Sequence, residues 1–209
     1  MINNYKDLTL EKFIELHELD VYGMEEIDIQ SNIIAILADM DVDEVLDLPI
    51  AQYRKLAQQT AFMQTAPKVT PRKITKVVID GKEFKVLDKV ENMTTGQYID
   101  YQTYISKGEV TMLPYILSCL IIPKDEKYGD SDTIEYMKQM SVEEALTISN
   151  FFMNKSRSLT RSTLRYLEWQ MKRQRRKMKD ETAKQKMTET IERLRSLQNL
   201  LNAGDGSLI

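Results

Sequence analysis

The sequence predicts a mainly α-helical protein with one small β-hairpin, at about residues 74–87, and a long C-terminal helix. Three observations carry this. From residue 159 to 202 there is no Gly and no Pro, and Leu, Met, Lys, Arg, Gln and Glu predominate, a composition that favours helix. Asp80-Gly81 separates two runs of β-favouring character, residues 74–79 and 82–87, which is a strong local hairpin signal. Elsewhere apolar residues recur three and four apart, the period of a helix with one buried side.

Element by element, Leu8, Leu10, Phe13, Ile14 and Leu16 have helical spacing before a loop at Gly23. Residues 27–40 form a second helix with Ile33, Ile34, Ile36 and Leu37 buried, and residues 42–48 a short acidic helical turn. Pro49 opens a third helix with Tyr53, Leu56, Ala57 and Phe62 inward; proline is tolerated in a first helical turn. Residues 65–73 have the composition of a linker. After the hairpin, Thr94 or Thr95 caps a helix running to about Ser106, with Tyr98, Ile99, Tyr101, Gln102 and Ile105 on its faces. A further helix over 110–122 stops before Pro123. Residues 124–132 are a polar loop, and Thr133 starts a short helix to Met140. Ser141-Val142-Glu143-Glu144 has the form of a capping box and precedes Ala145, Leu146, Ile148, Phe151 and Phe152. Ser158 or Thr160 marks a break before the last helix. The chain thus divides into an acidic helical region (1–66), a linker (67–73), a hairpin with a helical core (74–157), and a long basic helix with a Gly-containing tail (158–209).

The C-terminal stretch reads as one helix, or two with a break. Roughly 44 residues at about 1.5 Å each reach about 65 Å, longer than a domain of this size is wide. Such a helix needs something beyond its own domain to pack against, which favours an assembly part over a self-contained enzyme. Leu164, Leu167, Met171 and Met178 form a first apolar stretch, and Met187, Ile191, Leu194, Leu197 and Leu201 a second at helical spacing. Residues 172–185 between them are almost wholly polar, so this is no continuous zipper. That middle is exposed, breaks into a hinge, or lies against a polar partner. Tyr166 and Trp169 either anchor a protein interface or end the core. The candidate interface is therefore Leu164, Leu167, Trp169, Met171, Met187, Ile191, Leu194, Leu197 and Leu201.

The net charge of −3 conceals an asymmetry. Residues 1–66 carry 13 acids and 4 bases, a net of −9, whereas residues 155–186 carry 12 bases and 3 acids, a net of +9. Opposed ends suit head-to-tail contact between copies, or docking of the tail on its own N-terminal part. Lys172, Arg173, Arg175, Arg176, Lys177 and Lys179 form the candidate basic face. It is a solvated helix face or meets an acidic protein, or, through phosphates, a nucleic acid.

Residues able to do chemistry are few. His17 is the only histidine and reads as a surface or interface residue. Cys119 lies in the apolar run Ile116-Leu117-Ser118-Cys119-Leu120 and reads as a small buried hydrophobe. A lone Cys forms no internal disulfide, which fits a reducing cytoplasm. Asp39-Met40-Asp41-Val42-Asp43-Glu44 begins like a calcium loop, but its sixth position is Glu44 and its twelfth Ile50, where Gly and Glu are needed. Phosphate-loop, dinucleotide, nucleophile-elbow and zinc-protease patterns are absent from the sequence. The expectation is a non-enzymatic chain with no cofactor, no metal, no small-molecule substrate and no catalytic residues. No signal-peptide pattern opens the chain, and the apolar run 112–122 is too short to span a bilayer.

The central region carries a resemblance. The hairpin with its Ile79-Asp80-Gly81-Lys82-Glu83-Phe84 centre leads into Met93-Thr94-Thr95-Gly96-Gln97-Tyr98-Ile99-Asp100. Leu113-Pro114-Tyr115-Ile116-Leu117-Ser118-Cys119-Leu120-Ile121-Ile122-Pro123 and Lys127-Tyr128-Gly129-Asp130 follow. This order, over roughly residues 70–170, resembles small structural and tail-assembly proteins of tailed bacteriophages, especially the crAss-like and related Bacteroides-infecting gut phages. The resemblance implies a tail, neck-ring or packaged component of the virion, present in the host cytoplasm during assembly. Its partners would be other phage structural proteins or copies of itself, as a homo-oligomer or ring. A tail-assembly chaperone that binds the tape-measure protein is one alternative, and a nucleic-acid-binding helical module another.

Overall fold

The computed structural model describes residues 1–70, 72–178 and 180–203, with the backbone alone for residues 159, 197, 198 and 200–203. It divides into two units, Met1–Phe151 and Phe152–Ile209, and is mainly α-helical with one small antiparallel sheet.

In the first unit, α1 (Leu10–Glu18) starts at Thr9, whose hydroxyl accepts the Lys12 N–H. α2 (Glu26–Ala38) stops at Asp39, which turns left-handed with φ 55° and returns its N–H to the Ala35 carbonyl. The acidic stretch that follows is helix-capping chemistry. The Asp41 N–H donates to the Glu44 carboxylate at 3.2 Å at the start of α3 (Val42–Leu46). Pro49 caps α4 (Ile50–Gln59) as expected, and a 3-10 turn, Thr60–Gln64, continues it. Ile34 and Leu37 are buried, but Ile33, Ile36, Tyr53, Leu56, Ala57 and Phe62 are only half-buried. The expected inward faces are thus covered along one edge.

The hairpin forms where the sequence places it. β1 (Lys76–Ile79) and β2 (Lys82–Val86) pair antiparallel with Ile79 opposite Lys82. Asp80 and Gly81 turn the chain with φ of 48° and 74°, the two positive angles of a type I′ turn whose twist matches the strands. A third strand was not expected. β3 (Ile121–Pro123) pairs with β2, making a sheet of order β1-β2-β3. The helix expected over 110–122 is correspondingly shorter: a 3-10 turn, Val110–Met112, then α6 (Leu113–Leu120). Pro123 disfavours the α conformation at Ile122, and β-branched Ile121 and Ile122 fit a strand. Proline is tolerated in an edge strand.

α5 (Thr95–Lys107) begins with a reciprocal capping box between Thr94 and Gln97, and α7 (Ile134–Lys138) follows the polar loop. α8 (Val142–Arg175) starts at Ser141, whose hydroxyl accepts the Glu144 N–H at 3.2 Å. The caps of α1 and α8 also meet: the Leu10 N–H donates to Met140 O and the Val142 N–H to Leu8 O, both at 2.8 Å. Leu8, Leu10, Leu113, Ile116, Leu117, Leu120, Val142 and Ala145 are all within about 1% of complete burial.

The break expected at Ser158 or Thr160 does not occur, and α8 runs through both. These side chains are accommodated within the helix. Thr160 Oγ1 donates to the Ser156 carbonyl and Ser162 Oγ to the Ser158 carbonyl, so the Thr160 and Ser162 hydroxyls bond one turn back and the helix continues. The interruption falls between Arg175 and Glu181, where α9 (Glu181–Ala203) begins. Asp180 caps α9, its carboxylate accepting the Thr182 N–H at 2.9 Å.

Replacing Gly81 by Ala forces a Cβ into left-handed backbone and is expected to lower stability by about 1–2 kcal/mol. A urea titration checks this; an unmoved midpoint contradicts the turn assignment.

Candidate interaction surface

The second unit is an antiparallel helical hairpin formed by α9 and the C-terminal part of α8. Two side-chain contacts define its direction. Arg195 Nε donates to Glu168 Oε1 at 2.8 Å, and Arg175 donates to Thr188 Oγ1 at 2.9 Å. The partners lie seven residues apart on each helix and run in opposite senses. Seven residues are about two turns, so each helix uses one face. On α8 that face carries Leu164, Glu168, Met171 and Arg175. Leu164 and Met171 are half-buried there. On α9 it carries Met187, Thr188, Ile191, Leu194 and Arg195, with Ile191 only 4% exposed.

Glu168 is the electrostatic centre of this face. Its Oε1 also takes the Lys172 amine at 2.6 Å, and its side chain is 14% exposed. The hydrogen bonds from Lys172 and then Arg195 hold its carboxyl down to about 2, because each cation favours the charged form. The carboxylate draws the ends of two part-exposed cations together across the hairpin.

The candidate interface therefore separates into two sets. Leu164, Met171, Met187, Ile191 and Leu194 share the inner face. Tyr166 and Trp169 point outward, 58% and 55% exposed, with Leu167 at the border. At about 100° per residue Tyr166 and Arg173 lie on the far side of α8 from Glu168, with Trp169 on the flank between. Arg173 lies over the Trp169 ring at 5.5 Å, and the rings of Tyr166 and Trp169 are 6.1 Å apart. Such a cation–aromatic pair has the composition of an interface anchor. The candidate basic face is partly engaged within the hairpin: the half-buried Lys172 bonds Glu168 and the exposed Arg175 bonds Thr188, while Arg173, Arg176 and Lys177 are exposed as well. Lys179 and the side chains of Leu197 and Leu201 lie outside the described residues.

One feature of the first unit was not anticipated. A groove between α1 and α2 is lined by Glu15, Glu18, Asp20, Asp39 and Asp41 around Leu19, Ile36, Met40 and Val42. The Lys12 amine reaches Asp39 at 2.5 Å. The i,i+3 placement of Glu15 and Glu18 is the signal that could have revealed its rim.

Cys119 is fully buried, as expected. Burial pushes its thiol up to about 11, so it is neither thiolate nor nucleophile near neutral pH. Its sulfur lies 3.6 Å from the Tyr128 hydroxyl, which donates to Asp100 at 2.8 Å. His17 is exposed and stacks on Phe13 with ring centres 5.8 Å apart. Among the described residues, no group of three His, Cys, Asp or Glu side chains is placed to hold a metal ion, and no helix is long and apolar enough to cross a membrane. No protein-family model, curated protein or solved structure matches the chain.

The depressed Glu168 carboxyl carries a pH dependence. Its folded value lies below the ordinary value of 4.5, so its contribution is present above about 4.5 and fades as pH falls towards 2. Trp169, the only tryptophan, sits beside it and reports the change. Glu168→Gln is expected to destabilise the hairpin by about 1 kcal/mol at neutral pH and to flatten the acid response of Trp169 emission. An unchanged acid titration in the variant contradicts the clamp.

Proposed function

We propose that this chain is a non-enzymatic structural or assembly protein of a tailed-phage virion, acting through protein–protein contacts. The observation that carries the reading is the outward face of the hairpin. Tyr166, Trp169 and Arg173 stand exposed on a helix whose opposite side is already occupied by its neighbour. A paired aromatic and cationic set of this kind contributes most when desolvated against a partner. The resemblance of residues 70–170 to phage structural and tail-assembly proteins supplies the biological setting: the virion, with the host cytoplasm as the site of assembly.

The nucleic-acid reading is weaker because the basic stretch does not form a continuous cationic surface. The Lys172 amine is engaged by the Glu168 carboxylate and the Arg175 guanidinium by the Thr188 hydroxyl, so part of the charge is used within the hairpin.

The test is composition. Particles purified from cells producing the virion that encodes this chain are expected to hold it in a fixed number of copies. Trp169→Ala is expected to lower incorporation by about tenfold, the size of a modest interface hot spot, while the soluble pool stays folded. Absence from particles but presence in soluble complexes with another phage protein assigns the chaperone role instead. Absence from both contradicts an assembly function.

A further inference from the structure

We infer that the outer face of the hairpin docks into the acidic groove between α1 and α2 of a second copy of this chain, joining copies head to tail. The inference rests on the assembly reading above and names the partner of that same face.

The argument is one of matched chemistry. The groove has a carboxylate rim, Glu15, Glu18, Asp20, Asp39 and Asp41, all exposed, over a floor of half-buried Leu19, Ile36 and Met40. The hairpin offers the complement in the same order: apolar rings, Tyr166 and Trp169, running into exposed cations, Arg173, Arg176 and Lys177. Rings on the floor and cations on the rim would satisfy both surfaces. Their segments carry nets of −9 (13 acids, 4 bases) and +9 (12 bases, 3 acids), so attraction also steers the encounter.

Nucleic acid is a poorer occupant of the hairpin. Phosphate binding gains from every free cation presented, and two in this stretch are already bonded within the hairpin, Lys172 to Glu168 and Arg175 to Thr188. It would also leave the acidic groove unexplained. A contact between two different patches is heterologous, so its repetition gives a ring if the rotation closes and a filament if it does not.

Light scattering on the full chain tests this at low and high salt. At low salt the mass is expected to be a multiple of 24.4 kDa, falling to the single-chain mass as salt screens the joint. E15K/E18K, at exposed positions in the last turn of α1 where a cation suits the helix end, breaks the groove. R173E/R176E breaks the hairpin face. Each alone is expected to be a single chain at low salt, with unchanged circular dichroism. Mixed in equal amounts they are expected to form a two-chain species and nothing larger, since each supplies one intact surface. Both reversals in one chain are expected to restore growth.

A wild-type chain that stays single at low salt overturns the joint. So does an oligomer that keeps its mass at high salt or in either variant, or a mixture that stays monomeric. Loss of thermal stability in E15K/E18K without a change of mass assigns the groove to the same chain's hairpin and also overturns it. DNA retention abolished by R173E/R176E in a chain of single mass replaces the partner with nucleic acid. A chain that is monomeric here yet built into particles refutes the joint and leaves the assembly role standing. An oligomer of the expected behaviour, absent from particles, does the reverse.

Discussion

α6 has almost no polar side, and the first unit is arranged to cover it. Six of its eight residues, Leu113, Pro114, Ile116, Leu117, Cys119 and Leu120, are buried. A helix that is apolar all round must be enclosed, and each fully buried Leu or Ile contributes about 1.5–3 kcal/mol. α5, α7 and the strand that continues α6 all pack on it. Where α5 comes nearest, the buried Gln97 amide donates to the Cys119 carbonyl at 2.6 Å. That bond supplies a partner for the carbonyl as the chain leaves the helix for β3, where an unpaired buried carbonyl would cost about 1–3 kcal/mol. The same requirement accounts for the inert thiol: Cys119 fills space.

The second unit follows a different rule. Among its described residues no helix is so enclosed, and its inner face is held by a short apolar stripe with one carboxylate serving two cations. An exposed ion pair contributes little, but Glu168 is largely covered and bonded to both Lys172 and Arg195, which makes the geometry of the pair specific. The consequence is a division of labour around α8. One side is used by the fold, and the side bearing Tyr166, Trp169 and Arg173 is left over.

Local signals in the sequence were legible and long-range ones were not. Asp80-Gly81 specifies its turn through two positive φ angles, and Thr94 and Ser141 cap through bonds three residues away. Each is decided within a few residues. β3 is only three residues long, and its partner β2 lies some 35 positions earlier, so no local period reveals it. Ser158 and Thr160 suggest a stop because hydroxyls compete for backbone groups, but the Thr160 hydroxyl bonds back within the helix and so does that of Ser162. The candidate interface was legible as a stripe at helical spacing. What covers the stripe was not, since a period identifies a buried face without naming its neighbour. Counted along the chain, the basic stretch is a run of free cations; the fold engages Lys172 with Glu168 and Arg175 with Thr188, partners that a count along the chain does not reveal.

The central claim is that the side of α8 bearing Trp169 is free in the isolated chain and covered in the assembly. Acrylamide quenching of the only tryptophan measures this directly. The account predicts ready quenching in the dissociated chain, as 55% exposure requires, and marked shielding in the assembled state. Equal quenching in both states, or a tryptophan already shielded in the single chain, would contradict it.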